Sequence, residues 1–302
     1  MGSTTRTPVR LGIAVAAVAG LVSAGVTGAS AAPRKAAALY ERPYVDVKIT
    51  ATKLVAHTGG GALATGRLDV SLQAVGGERE VQVVRFDPGY GFKDFRADIR
   101  TLGSSFGQNG PSKKGLKALN HAIDNTTGYG GLDAPQGHTR RGTLLLDQEG
   151  TYVIYDDSHN LPRHATPITI SGSAGPQTLQ KTDGFVKAKT NRRFGGDTVL
   201  PAKGNITFKN VSTESPHFLS LNHVKEGTTR KDVLDYFNSG AQGRPPFALK
   251  GSAGTDALSY GHAQTLHVNL PAGQYAEMCF FPDPKTGMPH AFMGMIRMVH
   301  LK

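Results

Sequence analysis

The 302-residue chain contains one cysteine, Cys279, and no tryptophan. A lone thiol excludes a disulfide framework and any metal site built from several thiolates. Aromatic residues are only 7% of the chain and do not interleave with basic runs, so nothing resembles a nucleic-acid surface. No His-x-His pair occurs, and neither a P-loop nor H-E-x-x-H is present. The usual signatures of nucleotide binding and zinc proteolysis are therefore missing. After the first 31 residues no apolar run is long enough to cross a bilayer.

Residues 1–31 read as a secretory signal peptide. Arg6 and Arg10 form a basic start, Leu11 to Val26 is apolar and small, and Ala29-Ser30-Ala31 gives the small-x-small cleavage pattern. No paired arginines precede the apolar run, which points away from the twin-Arg route. Residues 32–43 read as a linker, and the expected location is extracellular. Lys and Arg number 34 against 23 Asp and Glu, a net charge of +11. These charges are scattered rather than clustered, which describes a solvated basic surface suited to anionic partners.

What the chain has in quantity is glycine, proline and alternating apolar residues. Val45, Val47 and Ile49 alternate, as do Leu68, Val70 and Leu72, then Val81 and Val83. Leu144 to Leu146 and Thr151 to Tyr155 flank Gln148-Glu149-Gly150 as a hairpin. The rhythm returns at Ile206 and Phe208, Leu219 and Leu221, Leu266 to Leu270, and Ile296 to Leu301. Helical spacing is confined to a segment near Pro111, where Leu116, Leu119 and Ile123 share a face, and to Lys231–Phe237. A shift of 138 positions lays Gly66 on Gly204, Gly89 on Gly227, Lys93 on Lys231 and Asp94 on Asp232, and the apolar positions follow. The expected fold is all-β, with two tandem Greek-key β-sandwich domains at 44–182 and 183–302 and short helical insertions.

The chemistry lies near the C-terminus, where Cys279 opens CFFPDPKTGMPHAFMGM. That stretch offers a thiol, the His290 imidazole and the Met295 thioether, and upstream Ser215-Pro216-His217 offers a second imidazole. A soft thiolate, two imidazoles and a weak axial sulfur are the donor set of a trigonal copper site. Pro282 and Pro284 stop strand pairing after Cys279, and Gly287 with Pro289 turns the chain back toward His290. His223, six residues beyond His217, is the alternative imidazole should the register differ. Each donor also has an ordinary reading: a buried thiol, a core or turn histidine, a methionine filling space.

In these residues the second half resembles the cupredoxins, the type 1 copper proteins. Asn210 followed by Pro216-His217 is similar to the family's Asn and Pro-His strand opening, and Gly273-Gln274-Tyr275 to its Gly-x-Tyr approach to the cysteine. His290 and Met295 keep its gap between second histidine and axial methionine. Ten residues separate Cys279 from His290, longer than in small members and similar to the nitrite reductase type. The resemblance implies a cupredoxin-like fold and one type 1 copper held by His217, Cys279, His290 and Met295. The first half reads as a copper-free copy, with Arg79 where His217 would fall and Asp156 where Cys279 would fall.

The function expected first is therefore a secreted copper protein, not an enzyme, serving electron transfer or copper handling with an unidentified redox partner. It would bind no nucleic acid and have no membrane span after cleavage. A metal-free cupredoxin-like binding or structural module comes second. A copper oxidoreductase comes a distant third, because Met278 and Phe280 flank the cysteine where a histidine would be needed to reach a catalytic cluster.

Overall fold

The computed structural model describes residues 43–302 apart from 60–62, 108–109, 160, 173–174, 180 and 248–250. The segment expected to be a signal peptide, 1–31, and residues 32–42 of the expected linker lie outside the described residues.

The first half runs β1 (Tyr44–Ile49), β2 (Leu54–Gly59), β3 (Gly66–Ala74), β4 (Arg79–Phe86), α1 (Phe92–Ser104), β5 (Phe106–Gly107), β6 (Gly110–Pro111), α2 (Lys113–Asp124), β7 (Thr126–Ala134), β8 (Thr139–Leu146), β9 (Gly150–Asp156) and β10 (Arg163–Ile170). The second runs β11 (Gly184–Lys189), β12 (Arg193–Gly196), β13 (Val199–Leu200), β14 (Lys203–Asn210), β15 (Ser220–His223), α3 (Arg230–Asn238), β16 (Ser252–Gly254), β17 (Ala263–Asn269), β18 (Gly273–Met278) and β19 (Ile296–Leu301).

The two halves use one pairing scheme. In the first, β1 lies parallel to β3 and β3 antiparallel to β8, while β4 sits between β7 and β9 with β10 outside. In the second, β11 lies parallel to β14 and β14 antiparallel to β17, while β15 sits between β16 and β18 with β19 outside. Each half crosses between its two sheets after β3 or β14 and returns later, the Greek-key course of a sandwich. The inner sheets are one: β8 pairs with β17, giving the order β12-β11-β14-β17-β8-β3-β1-β2.

Alternation explains the layers. Leu68, Val70 and Leu72 on β3 and Ile206 and Phe208 on β14 point inward and are buried in one core that spans both halves. Each such side chain contributes about 1.5–3 kcal/mol by leaving water. Gln264 of β17 stitches the seam, accepting from Gly131 N and donating to Gly131 O, both at 2.8 Å. Gly130 makes room for it. Its φ is +95°, and a Cβ there would lie 1.7 Å from the Gln264 amide oxygen.

The helices begin where the sequence offers caps. Thr229 accepts from Asp232 N at 3.2 Å while its own N–H donates to the Asp232 carboxylate at 2.8 Å, a complete capping box before α3. Ser112 caps α2 by the first of these bonds alone, accepting from Gly115 N at 3.3 Å, since glycine at that position offers no side chain to return one. Helix α1, thirteen residues long, lies outside the two segments whose spacing predicts a helix. No helix among the described residues is long and apolar enough to cross a membrane.

Candidate metal centre

His217 stands just before β15, held by a two-way backbone bridge with Leu258 (3.1 and 2.9 Å). Asn210, at the end of β14, fixes the loop that leads to it. The Asn210 amide donates to Ser215 O at 3.0 Å and Leu258 O at 2.8 Å, and its oxygen accepts from Ser212 N at 2.9 Å. Cys279 follows β18 directly, so the pairing of β18 with β15 and β19 sets its position.

The ten residues that follow close on themselves. Pro282 and Pro289 bridge, and Asp283 N donates to Met288 O at 2.9 Å. His290 N donates to Phe281 O and Ala291 N to Cys279 O, which returns the second imidazole to the thiol. One Asp283 carboxylate oxygen accepts from Lys285 N, Thr286 N and the Thr286 hydroxyl; the other accepts from Arg192 at 3.1 Å. Burial pushes the Asp283 carboxyl up, but the Thr286 and Lys285 hydrogen bonds, with the nearby His290, outweigh it and hold the group below its ordinary range.

The structure brings His217, Cys279 and His290 together. All three are buried, and their donor atoms lie within 4.8 Å of one another. Cys279 Sγ is 3.6 Å from His217 Nδ1 and 3.7 Å from His290 Nδ1. Met295 follows His290 through a tight turn, its N–H donating to His290 O at 2.9 Å, and lies fully buried in the same core cluster as Cys279. His223 stacks on Tyr275 instead, at 4.7 Å between rings.

These separations suit a metal ion. Bonds of about 2.0 Å to nitrogen and about 2.3 Å to sulfur, opened to a trigonal angle, put sulfur and nitrogen about 3.7 Å apart. Protonation also favours ligation. Burial lowers His217 to about 3 and His290 to about 4, so both rings are neutral near pH 7 with lone pairs free. Burial pushes the Cys279 thiol up to about 12, offset in part by the Phe218 and Phe281 N–H groups that donate to sulfur. A metal must therefore displace the thiol proton. His290 Nε2 is buried without a hydrogen-bond partner among the described residues, and the Asp283 carboxylate lies 4.0 Å away.

Sequence reasoning missed Arg192 and the full role of Asp283. Arg192 sits on the β11–β12 turn with φ +53°, some ninety residues from its partner, and no local pattern marks it. In the first half the corresponding place is filled otherwise. Arg79 is buried, donates to Val75 O and reaches His159 at 3.5 Å, while Asp156 accepts from Ser158. His164 is exposed. Ser105, centred in the G-x-S-x-G stretch Gly103–Gly107, spends its hydroxyl on Leu102 O at the end of α1.

No protein-family model and no curated protein matches the sequence. Among solved structures, auracyanin from Roseiflexus castenholzii aligns at 21% identity over 39% of this chain and 94% of its own, with a TM-score of 0.27. The copper-containing nitrite reductase of Thermus scotoductus aligns at 11% identity over 86% of this chain and 61% of its own, with a TM-score of 0.22. The copper nitrite reductase of Nitrosomonas europaea aligns at 11% over 86% and 93%, with a TM-score of 0.21. At these scores no role is carried across from them.

Proposed function

We propose that the protein binds one copper ion at a type 1 site formed by His217, Cys279, His290 and Met295, and serves electron transfer or copper handling after secretion. In this reading the two sandwiches are cupredoxin-like copies of one unit, and the first has lost its ligands. The observation that carries the reading is the buried trio with sulfur 3.6 and 3.7 Å from two ring nitrogens. Copper bound there would supply a one-electron couple. The residues supply rigidity: His217 is tied through Asn210 and Leu258, Cys279 by the strand behind it and His290 by the Asp283 loop. Phe218 and Phe281 donate to the sulfur, which favours its thiolate form. The centre is proposed to work alone, since Met278 and Phe280 flank Cys279 and offer no imidazole relay.

Adding copper(II) to the purified, reduced chain is expected to give one equivalent bound and an intense thiolate-to-copper absorption band. Cys279→Ser abolishes the band, and Met295→Leu keeps copper while shifting the band. A colourless wild type that takes up no copper would replace this reading with a metal-free module.

A further inference from the structure

A cavity of about 200 Å³ lies between the halves, walled by β4, α1, α2 and β7 on one side and by the segments around β15, β16 and β18 on the other. Phe95, Leu102 and Leu119 face it from the first half, and Met278 and Phe280 from the second. Five acidic residues join this apolar lining: Glu78 just before β4, Glu80 on β4, Asp133 on β7, Asp157 after β9 and Asp256 after β16. Arg140 acts on Asp133, but Glu80, Asp157 and Asp256 form no ion pair with a lysine or arginine among the described residues, although the chain as a whole is strongly basic. Two polar atoms of the lining, Asp256 Oδ2 and Thr126 Oγ1, are shut off from solvent and have no hydrogen-bond partner in the described structure.

Carboxylates gathered against apolar walls repel one another and favour a cation. That effect is visible in Glu80 and Asp157, whose burial, joined by the neighbouring charges, pushes both well above the ordinary carboxylate range. A bare metal ion does not suit the spacing. Among the described residues the only three donors within 4.8 Å of one another are His217, Cys279 and His290. An ammonium carried on an apolar body suits both the spacing and the walls, because aromatic faces attract cations as well. A 150 Å³ apolar cavity admits benzene, so about 200 Å³ admits an aryl ring with a short ammonium arm.

We infer that this cavity is a binding site for a small organic cation, an arylalkyl or alkyl amine, with Glu80, Asp157 and Asp256 reading its charge and Phe95, Leu119 and Phe280 its apolar body. Phe218 and Phe280 also line the cavity, each next in sequence to a metal-centre residue. The inference does not depend on copper, so it is tested on the metal-free full chain with copper uptake measured separately.

The probes are 2-phenylethylamine and its neutral counterpart 2-phenylethanol, titrated by calorimetry. The amine is expected to bind one to one and at least about tenfold more tightly than the alcohol, the discrimination a buried charged partner gives. Glu80→Gln with Asp256→Asn removes that preference while leaving the alcohol's affinity within about threefold, and Leu119→Trp fills the space and weakens both. Equal binding of amine and alcohol, no binding of either by the wild type, displacement of the amine by calcium, or an unchanged preference in the carboxamide variant would each overturn the site. If the carboxamide variant fails to fold, the comparison of amine and alcohol on the wild type decides alone.

Discussion

Asn210 commits its entire amide to the loop that carries His217, satisfying two carbonyls and one N–H in a fully buried place. Asn210→Ala strands those groups, and each buried unsatisfied group costs about 1–3 kcal/mol. The expected loss is about 2–4 kcal/mol, read as a lower denaturant midpoint with an unchanged slope, together with weaker copper uptake. A variant as stable as the wild type would show that the loop holds His217 by packing alone. At this scale much of the site was legible. His217, Cys279 and His290 each sit beside a turn or strand signal in the sequence, and the structure brings their donors together. Arg192 and Thr126 were not legible, because what defines each is a neighbour, or the lack of one, contributed by distant chain.

Among the elements, the Cys279–His290 loop depends on one carboxylate. Asp283 receives three local hydrogen bonds and the Arg192 guanidinium, so its removal frees both the turn and the ion pair above His290. Asp283→Ala is expected to destabilise the metal-free protein by about 2–3 kcal/mol, with Asp283→Asn recovering part of it. Faster hydrogen exchange confined to residues 281–292 is the accompanying sign, and unchanged exchange there would mean that the two proline-flanked arms hold the loop without Asp283. The strands themselves were legible, since alternation at β3, β14 and β17 is a property of consecutive residues. Their partners across the halves were not. Register between β8 and β17 is fixed by side chains such as Gln264 meeting Gly131, a pairing over 133 positions that no local period encodes.

For the molecule as a whole, the shared sheet makes the halves depend on each other. A fragment of 183–302 would expose the β17 edge that β8 covers and the cavity wall around Phe280, so it is expected to self-associate. A monomeric, folded fragment by analytical ultracentrifugation would show that the seam is dispensable. The cavity also gives the metal-free protein a signed pH dependence. Burial first, then Asp133, raises Asp256 to about 7, and burial with the neighbouring acids raises Glu80 and Asp157 well above the ordinary carboxylate range. Their folded pKa values exceed the unfolded ones, so their contribution is complete at low pH and is lost as pH rises through the folded values. His217 and His290 act in the opposite sense: their folded values are depressed, and their contribution is lost as pH falls below about 6.5. The two trends oppose each other below pH 6.5, and from 6.5 to 8 the raised carboxyls act without the histidines; Glu277, which burial lifts to about 7 against its Arg297 ion pair, adds to the cavity groups with the same sign. Unfolding free energy is therefore expected to fall as pH rises from 6.5 to 8, by up to about 1.4 kcal/mol per pH unit for each proton released. Asp256→Asn should flatten that slope and raise stability at pH 8, because it removes a charge that has no cationic partner among the described residues, with the Ala257 N–H on one oxygen and no donor on the other. A wild type whose stability is level or rising over this range would mean that these carboxyls ionise in the folded state at no cost, and that the apolar walls of the cavity do not desolvate them.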